Sequence, residues 1–129
     1  MPATLADAVA TFGPAAFLVS VTPEARPHLA PVEVGVVSPD GSELSVVVLT
    51  GARSARNAEA NPIVCLHWPP VVASDGYSLI VDGDTVTEVR EHDTVLHVRP
   101  VKAVLHRAGD PEPGTTACGH DCVGLTLTH

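Results

Sequence analysis

Apolar positions along this chain recur with two periods. Leu5, Val9 and Phe12 are spaced for one face of a helix and Gly13-Pro14 stops the pattern, so an amphipathic helix is predicted first. From there the apolar residues alternate or run together. Residues 15–21 predict a first strand, 22–26 a turn, and 27–38 a second strand long enough to bend through a sheet. Pro31 and Gly35 interrupt that strand. Proline donates no ladder hydrogen bond, so Pro31 implies an edge, a bulge, or backbone that faces something other than a neighbouring strand.

Pro39-Asp40-Gly41-Ser42 is a turn signal, and residues 43–50 return as a third strand around Val46-Val47-Val48-Leu49. Residues 54–61 read as a short helix with Ser54 as its N-cap, followed by a fourth strand over 62–68 and a loop over 69–75. Residues 77–81 and 85–89 continue the β pattern around Asp82-Gly83. A long final strand over 94–107 carries Val95, His97, Val101, Ala103 and Leu105 on one side. These elements predict a mainly β fold: a six-stranded antiparallel barrel with an N-terminal helix and a short helix between strands three and four. The barrel takes residues 1–107, and residues 108–129, rich in Gly, Pro and Thr, are expected as an irregular tail packed on or near it.

Composition excludes several functions. At 129 residues the chain suits one domain. Seven Lys and Arg stand against fifteen Asp and Glu, for a net charge of −8, which argues against nucleic acid, whose phosphates need a basic stripe. No apolar run reaches the ~18–20 residues of a membrane span, and residues 1–11 lack the basic start and apolar centre of a signal peptide. A cytoplasmic protein outside the membrane is therefore expected. Cys65 lies in an apolar strand while Cys118 and Cys122 lie in the tail, a set that reads as reduced thiols rather than a disulfide framework.

Against this acidic background Arg53 and Arg56 fall close together where a strand runs into the short helix. A helix start carries unpaired N–H groups and partial positive charge, so cations there destabilise it by about 0.3–1 kcal/mol each unless an anion offsets them. A bound phosphate reverses that sign. The alternative is a surface ion pair with Glu59 or another carboxylate, worth only ~0–1 kcal/mol. Ser54 and Asn57 either donate to the same anion or cap the helix and its following turn. His28 either contacts a ligand or is solvated at a strand start, and Trp68, beside His67, either closes a cleft or joins the core or an interface. His106-Arg107 either reaches a partner's ligand or ends its strand in solvent near Asp110. Cys118-Gly119-His120-Asp121-Cys122 combines zinc-competent donors, but alternate residues crowd one metal and no second pair follows, so no metal is assigned. Free thiols or a short-range disulfide fit that segment better, and Cys65 reads as buried filler.

Four segments then stand in a telling order: Ala25-Arg26-Pro27-His28-Leu29-Ala30-Pro31-Val32; Arg53-Ser54-Ala55-Arg56-Asn57 with Asn61-Pro62 four positions on; His67-Trp68; and Tyr77-Ser78-Leu79-Ile80-Val81-Asp82-Gly83. Over residues 5–107 the chain resembles the split β-barrel superfamily of flavin- and deazaflavin-binding proteins named after pyridoxamine 5′-phosphate oxidase. The resemblance implies a homodimer that holds flavin mononucleotide (FMN), or a deazaflavin, in clefts at the subunit interface, with the phosphate near the short helix. It places Arg53, Ser54, Arg56 and Asn57 around that phosphate and the backbone through Ala30, Pro31 and Val32 along the isoalloxazine ring. Thr50, His28 and Trp68 complete the implied cofactor-binding set.

Two departures narrow what the resemblance implies. Many flavin-binding members carry a lysine where this chain has Ser54-Ala55, and the oxidase itself has a glutamine where Ser78 stands. Basic counterparts for a phosphorylated vitamin are also missing, so oxidation of that vitamin is not expected. The chain shows no Ser/His/Asp order, no GxSxG elbow and no paired carboxylates in a cleft, so no catalytic side chain is assigned and the cofactor carries the chemistry. The expected function is an FMN- or deazaflavin-dependent oxidoreductase acting on a small-molecule substrate. The alternatives are a non-catalytic flavin-binding, storage or sensing protein, a split barrel that has lost its cofactor, and, more remotely, a metal sensor using the Cys118 to Cys122 segment.

Overall fold

Alternation along each strand sends one set of side chains inward and the other outward, and the inward set here closes on itself. In a computed structural model that describes residues 4–108 and 120–127, the chain runs α1 (Leu5–Phe12), β1 (Ala15–Val21), β2 (Pro27–Val37), β3 (Leu44–Leu49), α2 (Arg53–Ala60) and β4 (Ile63–Trp68). A short 3₁₀ turn (Val72–Ser74), β5 (Ser78–Val89), β6 (Asp93–Ala108) and β7 (His120–Gly124) follow. The sheet order is β3-β2-β1-β4-β5-β6-β7, and an additional pairing of β3 with β6 closes the first six strands into an antiparallel barrel. This is the predicted architecture, with both helices in their predicted places.

Two details differ from the sequence expectation. Residues 77–81 and 85–89 run on as one strand, β5, and a register shift against β6 at Asp82-Gly83 leaves Val101 of β6 as the extra residue, exposed rather than on one side with the buried Ala103 and Leu105. Glycine is required there because a Cβ would lie 2.7 Å from Val98 Cγ1 and 2.8 Å from the Arg99 carbonyl oxygen. Part of the expected irregular tail is also a strand. β6 pairs with β3 only through residues 93–98, so its far half has a free edge, which β7 covers from Val104 to Ala108. Nothing in the short β7 sequence alternates strongly enough to announce this.

The barrel is filled by Leu18, Leu44, Val46, Leu66, Trp68, Leu79, Val81, Leu96, Val98 and Leu105, all buried. Each such side chain contributes about 1.5–3 kcal/mol on leaving water. α1 lays Leu5, Ala8, Val9 and Phe12 against this core; the Thr4 hydroxyl accepts from the Asp7 amide at its start, and Gly13, at φ 88°, ends it. In the β2–β3 turn the Asp40 carboxylate accepts from the Ser42 hydroxyl, the Ser42 amide and the Ser38 hydroxyl, which hold its pKa down at about 2. Among the described residues no helix is long and apolar enough to cross a membrane.

Replacing Gly83 by alanine is expected to lower stability by about 1–3 kcal/mol, seen as a lower urea midpoint at unchanged slope. Gly124, whose Cβ would meet nothing within 4 Å, should accept alanine within ~0.5 kcal/mol of the parent. Equal midpoints for the two variants would mean that the bulge is not tight.

Candidate functional site

The barrel opens where the second and third strands part. β2 and β3 pair only at Val34 with Val46 and Val37 with Leu44, across a register shift. At that shift the Ser45 hydroxyl accepts from the Val36 amide at 2.9 Å in place of a backbone partner, and Gly35 keeps its Cβ position clear of the same hydroxyl. Beyond it, residues 27–32 of β2 pair with β1 alone, while Val47, Val48 and Leu49 pair with Val95, Thr94 and Asp93 of β6. Pro31 sits opposite Phe17 on β1 and has no partner on β3. The proline therefore marks backbone that faces something other than a strand.

Between the parted strands lies a cleft of about 580 Å³, lined by Ala15, Ala30, Pro31, Val32, Glu33, Val47, Val48, Leu49, Ala52 and Ser54. That volume is within the usual range for small-molecule sites, about 300–1,000 Å³. Its walls are apolar apart from Glu33 and Ser54. Sequence reasoning picked out Ala30, Pro31, Val32 and Ser54 and missed the rest. Val47 and Leu49 were hidden in a continuous apolar run that gives no facing, although they are 47% and 74% exposed.

α2 stands at one end of the cleft. Its N-cap is Ala52, extended and without a side-chain hydrogen bond, so Ser54 is not the cap but lies inside the first turn, 5% exposed and lining the cleft. The helix begins one residue earlier than expected because Gly51, at φ 84°, completes the turn out of β3. The first intrahelical bond runs from the Arg56 amide to the Ala52 carbonyl, which leaves the amides of Arg53, Ser54 and Ala55 without a helical acceptor.

Arg53 and Arg56 are both exposed and occupy the other side of this turn. With Asn57 they line an open depression of about 390 Å³ completed by Thr22, Pro23 and Glu24 of the β1–β2 turn. Among the described residues neither guanidinium has an ion pair, with Glu59 or any other carboxylate. The two arginines and Ser54 thus flank one helix start from adjacent grooves.

Three expected ligand residues are committed elsewhere. Asn57 is 3% exposed and its side-chain amide donates to the buried Ser20 hydroxyl at 3.1 Å, tying α2 to β1. The Thr50 hydroxyl donates to the Arg90 carbonyl at 2.9 Å and lies 3.1 Å from the Thr94 hydroxyl. Trp68 is 0% exposed, with its indole N–H donating to the Gly13 carbonyl at 2.9 Å, so it packs the core and no ring can stack on it. His28 pairs across the ladder with Ser20, and its Nδ1 is buried with no hydrogen-bond partner. It does not line the cleft, but it places an unpaired polar atom at the α2 end of the barrel. Arg107 stacks on the Tyr77 ring, 4.4 Å from its centroid, and donates to the Asp75 carbonyl and carboxylate. Cys118 lies outside the described residues, as does the side chain of His120.

No protein-family model matches the chain, and no curated protein matches it. Solved structures do. The chain is similar to an F420 reductase at 17% identity and a TM-score of 0.61, over 75% of this chain and 94% of the other. It is similar to a pyridoxamine 5′-phosphate oxidase-related, FMN-binding protein from Nostoc punctiforme at 12% identity and a TM-score of 0.63, covering 95% and 94%. A third is the heme storage protein from Vibrio cholerae, at 17% identity and a TM-score of 0.59, covering 75% and 90%. At these identities the likeness is one of fold: the chain has the split β-barrel of the pyridoxamine 5′-phosphate oxidase-like proteins, as the sequence resemblance implied.

Asn57→Ala is expected to cost about 1–3 kcal/mol of stability, since it strands the buried Ser20 hydroxyl without a donor. Chemical denaturation measures this; an unchanged midpoint would release Asn57 from its structural role.

Proposed function

We propose that the protein binds FMN or a deazaflavin in the cleft between β2 and β3 and acts as an oxidoreductase on a small molecule. The parting of those strands carries the reading, because it sets an apolar slot against strand backbone that has no ladder partner. A planar ring suits such a slot, and the unladdered amides and carbonyls suit its polar edge. The uncapped first turn of α2 offers N–H groups and partial positive charge to a phosphate, and the Ser54 hydroxyl adds a donor. Arg53 and Arg56 supply the opposing charge from the adjacent groove, where charge-assisted bonds are the strong ones. When bound, the ring supplies hydride transfer. The chain's own residues hold it, orient it and exclude water, with Val47, Leu49 and Pro31 forming the dry side of the cleft. Similar structures named for F420 and for FMN support this class of cofactor. The reading goes with a cytoplasmic location and reduced thiols.

A second copy of the chain completes the cleft in this reading. The outer barrel face next to it is apolar: Leu29 pairs with Val19 across the β1–β2 ladder, and Val19 shares a groove with Ile63 and Val101. Leu29, Ile63 and Val101 are 62%, 61% and 62% exposed in the single chain, large apolar surface that association would remove from water. Light scattering should show a dimer at micromolar concentration, and Ile63→Glu should yield a monomer with weakened cofactor binding. A wild-type monomer would leave the cleft open on one side and contradict this part of the proposal.

A non-catalytic carrier, or a barrel without cofactor, is the second reading. It is favoured by Ser54-Ala55 standing where the resemblance implies a lysine in many flavin-binding members, and by the likeness to a heme storage protein. Fluorescence titration with FMN and with a deazaflavin separates the cases. Saturable binding of either, followed by nicotinamide-driven or deazaflavin-driven turnover of an acceptor, is expected, and Arg56→Ala, less strongly Arg53→Ala, should weaken binding by about 1.5–3 kcal/mol. Binding without turnover identifies a carrier. Failure to bind either overturns both flavin readings.

A further inference from the structure

His106 and Cys122 stand directly opposite each other in the β6–β7 ladder, and His106 Nδ1 is 3.1 Å from Cys122 Sγ. Cys122 is exposed. We propose that this pair is a thiol-exchange site, in which Cys122 attacks low-molecular-weight disulfides with His106 as its base. It uses neither the cleft nor any bound cofactor, because β7 pairs with the half of β6 remote from β3.

The thiolate, not the thiol, is the nucleophile, so a cysteine exchanges quickly when a base beside it takes the proton. His106 Nδ1 is at hydrogen-bond distance from the sulfur, and the two strands hold it there. The Ser78 hydroxyl donates to the His106 carbonyl at 3.2 Å, and the Leu125 amide donates to the Ala103 carbonyl at 2.8 Å, anchoring β7 beside β6 just past the pair. Leu125 itself is buried in the core. Both reacting groups are thus positioned by secondary structure rather than by a loop.

In the exchange, a bond forms between Cys122 Sγ and one sulfur of the disulfide RS–SR, and the RS–SR bond breaks. The Cys122 proton passes to His106 Nδ1 and then to the departing RS⁻. The products are the Cys122–S–S–R mixed disulfide and RSH, with RS–SR as the oxidant. Cys65 is a control within the same chain. It is half-buried beneath the outer apolar face, and burial together with the Asp82 charge pushes its thiol up to about 11.

The test uses the full chain carrying Cys118→Ser, so that the neighbouring thiol in sequence cannot remove the adduct. Oxidised glutathione is added and mixed disulfides are followed by mass spectrometry of digests. Cys122 should be modified at least about tenfold faster than free cysteine under the same conditions, with Cys65 untouched. His106→Ala should lose that advantage, and added imidazole should restore part of it. Cys122 reacting no faster than free cysteine overturns the proposal on the parent chain, whatever the variant's folding. So does a His106→Ala protein, folded by circular dichroism, whose Cys122 reacts at the parent rate.

Discussion

One constraint organises this molecule: β3 cannot serve β2 and β6 along its whole length. Its pairing with β6 runs from Leu44 to Leu49 and closes the barrel, whereas its pairing with β2 stops at Val46. The Ser45 hydroxyl substitutes for a backbone acceptor where the ladder fails, and Gly35 leaves room for it. Closure and opening are therefore one event. A barrel with β2 and β3 fully zipped would satisfy more backbone but would have no cleft, and the first turn of α2 would then face solvent rather than the end of an apolar slot.

A second consequence lies at the other end of the same strand pair. Because β3 occupies only the first part of β6, the rest of the 16-residue strand needs another neighbour, which β7 provides. The long strand thus divides the protein between a β3 side, with its cleft, and a β7 side, with its imidazole and thiol. Acidic charge dominates elsewhere, so two guanidinium groups without ion pairs among the described residues, next to an uncapped helix start, make a local exception.

How far the sequence foretold this depends on which interactions are local. α1 and its stop at Gly13 follow from spacing alone, and the valine-rich strands follow from composition and turn residues. Pro31 gave the most specific hint, since a residue without an N–H marks a strand edge that no partner uses. The β pattern continues through Asp82-Gly83 as expected, but the register shift there was not foretold, because the approach of Val98 and Arg99 that requires glycine exists only once β5 and β6 pair. β7 was invisible because the edge that it covers exists only after the barrel closes.

The site was half legible for the same reason. Successive helical residues point about 100° apart, so Ser54 faces the cleft while Arg53 and Arg56, three positions apart, share a face outside it. Asn57, Thr50 and Trp68 had the right chemistry for a ligand, but buried partners at Ser20, Arg90 and Gly13 claim them. The claim underneath all of this is that the gap between β2 and β3 is where a ligand sits. Amide-resolved NMR during titration with FMN or a deazaflavin tests it most directly: shifts should concentrate at Ala30, Val32, Val48, Leu49 and Ser54. Saturable shifts confined to residues around Asp75 and Tyr77, with the β2–β3 gap silent, would contradict it.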